Sequence, residues 1–184
     1  MSGYDWGTLV LVLLGAAGLA GLIGWTSVGA RIWSPVALVL LGVTGLVAAA
    51  PAHVEVGNHA RVTLLVVLAG SLAVVGGGPV TARIFALVDR HEPTLPHEHR
   101  VADAGAVLRG GAWIGSLERA AVFASLAAGQ PEGVAIVLAL KGLGRYPELR
   151  AGASTGTAER FIIGTFSSVL WACACAGVVV LIKG

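Results

Sequence analysis

The chain has 184 residues, 56% of them hydrophobic and 12% charged, with a mean hydropathy of +0.85, and this composition excludes a soluble globular domain. Twelve basic against ten acidic residues leave a net charge of only +2, too little for a nucleic-acid surface. The 27 glycines are scattered through apolar runs and not gathered in polar tracts, which excludes a disordered or low-complexity chain. An all-α, polytopic membrane bundle forming one transmembrane domain is the expectation.

A helix needs about 20 mostly apolar residues to cross the hydrocarbon core, and six segments approach that length: 8–26, 34–51, 62–78, 112–128, 133–146 and 159–182. The first follows MSGYDWG, which has no basic region and no small-residue cleavage site, so it reads as a retained span and not a signal peptide. Its Gly15, Gly18, Gly21 and Gly24 recur every third position, the pattern that lets helix backbones approach closely in lipid. A short Ser/Gly turn leads into the second span, with Arg31 and Trp33 at the interface. The third ends in Gly76-Gly77-Gly78-Pro79, which removes helix propensity and one backbone donor and predicts a break. Beyond it, residues 79–89 form either a short interfacial helix or a kinked extension of span three, and a polar loop follows over 90–110. Span four opens with a GxxxG pair, Gly111 and Gly115. The fifth span is short. Cys173 and Cys175 in the sixth point about 200° apart around a helix, which suits packing and neither a bridge nor a metal.

If the six spans alternate, Arg61 and Lys183 fall on the side of the N-terminus, nine cations fall on the opposite side, and Arg119 lies within span four. The positive-inside rule then puts both termini outside, in a bacterial cytoplasmic (inner) membrane.

Charges inside the spans are the functional signal, because each costs about 3 kcal/mol facing lipid. Glu118 and Arg119 lie about 9 Å from the cytoplasmic end of span four. Lys141 and Arg145 close span five on one helical face, and Glu159 and Arg160 open span six. Gly111, Gly115 and Glu118 are expected on one face of span four, with Arg119 about 100° further round. Four cations against two carboxylates leave excess positive charge, which an anionic solute or a phospholipid headgroup would neutralise through arginine's forked donors. The plainer alternative is structural: Glu118 pairs with Lys141 or Arg145 and Glu159 with Arg119, while the remaining cations snorkel to the interface.

The stretch from Gly115 to Ser168 contains GSLER, GQPEG, ALKGLGRYPEL and ERFIIGTFSS. It resembles the C-terminal part of an uncharacterised bacterial membrane-protein family, a domain of unknown function with IGxLER, KSxxRF and EYxxIGT elements. Glu118 and Arg119 match the first element, Lys141 and Arg145 the second, and Glu159, Gly164 and Thr165 the third. The departures are Gly142 for serine, Tyr146 for phenylalanine and Arg160 for tyrosine. The resemblance implies a shared site at these positions, Thr165 included, and no particular activity.

The histidines form two groups, His53 and His59 around Glu55, and His91, His97 and His99 with Glu92 and Glu98. The second is a weak metal candidate in a proline-punctuated loop. No nucleophile elbow, Walker loop or dinucleotide fingerprint is present, and no cofactor is expected. Three functions follow in order. The first is binding or transport of an anionic solute or phospholipid. The second is a membrane-embedded enzyme acting on a lipid or isoprenoid phosphate, with Glu118 or Glu159 as acid or base. The third is a structural or assembly protein, and thin spans invite homo-oligomers.

Overall fold

The computed structural model describes residues 3–26, 29–50, 57–91, 111–151 and 155–183. These form six helices: α1 (Gly3–Ile23), α2 (Gly29–Ala48), α3 (His59–His91), α4 (Gly111–Ala127), α5 (Glu132–Ala151) and α6 (Thr155–Lys183). Four of them, α1, α2, α3 and α6, are long and apolar enough to cross a membrane. The 17-residue α4 and the charged α5 fall outside that group, so the expectation of six spans narrows here to six helices with four membrane-spanning candidates.

The helix ends follow local chemistry. Asn58 caps α3, its Oδ1 accepting from the Arg61 amide at 3.1 Å. Thr26 does the same for α2, accepting from the Gly29 amide at 3.0 Å. At the end of α4 the Gln130 amide donates to Ser125 O and the Gly129 amide to Leu126 O, a Schellman closure whose left-handed residue is Gly129 at φ +74°. Pro131 prevents the helix from resuming in register, and α5 folds back on α4 where Gly133 lies against Ser125.

At the centre, α3 and α6 pack antiparallel, with Gly76 beside Trp171 and Gly164 beside Phe85. α1 lies along α3, α2 lies along α1, and α4 covers the other side of the α3–α6 pair. α5 is outermost and leans on α4. Leu14, Leu65, Leu72, Ala176 and Val179 fill the core together with Cys175, the packing role expected of it, while Cys173 is half-buried. The outer surface is apolar as well: Leu19, Leu46, Trp113, Leu143 and Leu170 are all exposed, as suits side chains that face lipid.

The glycine run does not break α3, which continues as one helix from His59 to His91; of the two alternatives for 79–89 the structure has the extension of span three and no separate interfacial helix. Pro79 still removes the amide that would bond the carbonyl of Val75. Trp25 replaces it, its Nε1 donating to Val75 O at 3.0 Å. The small-residue stripe of α1 is used only at one end. Gly21 meets Gly76 and Gly24 meets Pro79, whereas Gly15 and Gly18 have nothing within 4 Å.

In thermal unfolding of the detergent-solubilised protein, Trp25→Phe is expected to cost about 1 kcal/mol. The same change should cost clearly less in a Pro79→Ala background, where residue 79 regains its amide; equal losses in both backgrounds would show that the indole is not substituting for that donor.

Candidate functional site

Of the six charges expected in one cluster, the structure joins Glu118 to Lys141 in a salt bridge between α4 and α5. Both side chains are largely covered, 14% and 18% exposed. Arg145, four residues further on, is half-buried on the same face of α5. Arg160 pairs not with a neighbour in this cluster but with Asp89 at the end of α3, a residue that sequence reasoning passed over. Glu159 is exposed at the start of α6 and is not a hydrogen-bond partner of Arg119.

Arg119 takes a different environment. Its residue is 5% exposed, and its guanidinium enters the seam where α3, α4 and α6 meet. Nε and Nη2 both donate to the carbonyl of Val74, at 3.1 and 2.8 Å. Nη2 also donates to Ser116 Oγ at 3.2 Å and Nη1 to Ser168 Oγ at 3.3 Å. All these partners are neutral, and a guanidinium has five N–H groups, so one hydrogen on Nη1 is left over.

The triple glycine makes this approach possible. A methyl group at Gly77 would lie 2.3 Å from Arg119 Cδ, one at Gly76 2.6 Å from Trp171, and one at Gly78 2.9 Å from Trp25. Each glycine therefore clears room for one polar side chain from another part of the chain. Trp171 uses its place to donate from Nε1 to Leu72 O at 3.1 Å. Sequence reasoning missed Trp25, Trp171, Ser116 and Ser168. The one signal it had was three consecutive glycines inside an apolar run, which it took for a break.

The face assignment on α4 also changes. Gly115, one turn before Arg119, lies 3.3 Å from Nη1 when given a methyl group, so the GxxxG face accompanies Arg119 while Glu118 turns to α5. Thr165 is 9% exposed and its Oγ1 has no partner. Thr81 Oγ1 and Ser34 Oγ are the other buried, unpartnered side-chain oxygens among the described residues.

Of the weak metal candidates, His97 and His99 lie outside the described residues and His91 is the last residue of α3. His53 lies outside them as well, and His59 is exposed at the start of α3. No group of three or more potential ligands comes together among the described residues.

The chain matches no family model, and it matches neither the curated proteins nor the solved structures.

Removing one member of the α4–α5 ion pair strands the other. Glu118→Gln is expected to lower stability by about 1–3 kcal/mol, and the charge exchange Glu118→Lys with Lys141→Glu to recover most of that loss. Thermal unfolding of the single variants and the exchange checks this; an exchange as unstable as the single variants would mean that the pair contributes nothing as a pair.

Proposed function

We propose that this protein is a multi-pass membrane protein that binds or transports an anionic solute or phospholipid at the seam of α3, α4 and α6. One observation carries the reading: Arg119 is buried there as a full positive charge whose hydrogen-bond partners are all neutral. Ionisable groups at membrane depth are expensive, and a cation hydrogen-bonded only to neutral groups, with the nearby Glu118 carboxylate already paired to Lys141, still attracts a counter-charge. The first two sequence elements behind the family resemblance meet through Glu118 with Lys141, and Ser168, three residues past the third, accepts from Arg119, which supports reading them as one unit.

The same proposal takes all six helices as crossing a bacterial cytoplasmic membrane with both termini outside. α4 runs antiparallel to α3, with Phe123 at Gly70 and Arg119 at Gly77. Its last turn therefore comes within about 7 Å of the level of Arg61, where the charge-free stretch of α3 begins. Nine of the twelve cations then lie on the cytoplasmic side.

A structural reading stands beside it, favoured by the internal pairing of Glu118 with Lys141 and Asp89 with Arg160. Native mass spectrometry of gently extracted protein separates the two. An anionic adduct is expected on wild type and at least tenfold less of it on Arg119→Lys, which keeps the charge but loses the fork. Wild type without any adduct, and unaffected by added anion, would leave the structural reading.

A further inference from the structure

Helical hydroxyls in this protein ordinarily satisfy themselves on their own helix. Thr8, Thr44, Thr63, Ser116 and Ser167 each donate to the carbonyl four residues back, at 2.6–3.0 Å. Ser34, Thr81 and Thr165 do not, although their oxygens are shut off from solvent; Ser34 stands on α2, and only Thr81 and Thr165 belong to the helices of the Arg119 seam. A buried hydroxyl without a partner is costly, so two of them in one seam that decline the nearest available acceptor point to a partner of another kind.

Their placement is specific. Thr81 lies one turn beyond Gly77, which touches Arg119. Thr165 lies one turn before Ser168, which accepts from Arg119. Because α3 and α6 are antiparallel, both displacements run toward the same end of the bundle. Ser116, three residues before Arg119, is displaced the same way and touches the guanidinium already. The leftover Nη1 hydrogen belongs to the nitrogen beside Gly115, again on that side. Two helices thus each bring one unpartnered hydroxyl to the same side of a buried guanidinium that a third hydroxyl, Ser116, already touches.

We infer that this side of Arg119 is a site for one tetrahedral oxyanion of the phosphate type, either a free phosphate or the phosphate of a lipid headgroup. Arg119 Nη1 supplies the charge, Thr81 and Thr165 donate from α3 and α6, and Ser116 steadies the guanidinium. The inference rests on the proposed function above and deepens it by naming the ligand chemistry and two residues that hold it. A bridging water would satisfy the hydroxyls but bring no negative charge to Arg119 Nη1, and a planar carboxylate offers fewer lone-pair directions to the donors of Arg119, Thr81 and Thr165.

The test is thermal unfolding of the full chain in neutral detergent, titrated with inorganic phosphate against chloride at equal ionic strength in one arm and with short-chain phosphatidylglycerol in the other. Saturable stabilisation in at least one arm is expected, and which arm responds tells free phosphate from lipid. Thr81→Val and Thr165→Val should each weaken the apparent affinity about tenfold while leaving the unliganded midpoint unchanged or raised, since each replaces an unpartnered hydroxyl with a methyl group. Stabilisation that persists equally in both variants would overturn this site and leave the proposed function standing. No stabilisation of wild type in either arm would overturn both. Unliganded variants that unfold earlier than wild type would show the hydroxyls to be tied within the bundle, and the inference would fall.

Discussion

The bundle is organised by a guanidinium bonded to a helix backbone. Arg119 reaches across from α4 and places two N–H groups on the carbonyl of Val74, which it can do only because Gly77 presents no side chain at the point of contact. Facing lipid at this depth the charge would cost several kcal/mol. Within the seam it receives four hydrogen bonds' worth of acceptors from three helices, and charge-assisted bonds of this kind are stronger than neutral ones. The order of packing follows from this contact. α4 must lie on the α3–α6 pair for the arginine to be solvated, and α5 follows because Glu118, the preceding residue, is turned to Lys141.

The same stretch of α3 holds the opposite side of the bundle. Pro79 leaves the Val75 carbonyl without its helical donor, and in a membrane no water is at hand to replace it. Trp25 does so from the turn after α1, while Gly21 and Gly24 bring that helix within contact of Gly76 and Pro79. Trp171 adds a third donor at Leu72. Four residues, 76–79, thus fix α1, α4 and α6 around α3, two helices by indoles and one by a guanidinium.

Much of the architecture was legible in the sequence because hydrophobic runs and polar interruptions set helix positions directly. The first five predicted spans each fall within a few residues of an observed helix or inside it, and 159–182 lies within α6. Charges within an apolar run also marked Glu118 and Arg119, of which Arg119 is buried and Glu118 largely covered. The glycine run was misjudged because propensities measured in water describe a helix free to exchange its bonds with solvent. In an apolar bundle the ladder persists, and neighbours supply what the proline removes. Spacing alone could not decide whether Gly115 shares its face with Glu118 or with Arg119, nor which neighbour each would meet, so Glu118 was placed beside the glycines and, in the structural alternative, Glu159 beside Arg119. Asp89, the partner of Arg160, carried no local pattern that would have marked it. The histidine loop beyond residue 91 lies outside the described residues.

Pairing separates the charges into two kinds. Glu118 with Lys141 and Asp89 with Arg160 each join two helices and leave little net field, which is what register-fixing pairs would do. Arg119 is solvated by a carbonyl and hydroxyls, and dipoles stabilise a charge without cancelling it. Its position sharpens the contrast: Gly77 lies six residues inside Arg83, about 9 Å within the charge-free stretch of α3, where a positive potential is screened least. For packing alone an apolar side chain would serve at no such cost. Keeping an arginine there, behind three glycines and beside two unpartnered hydroxyls, is what the proposed anion site requires and what a purely structural reading leaves without a purpose.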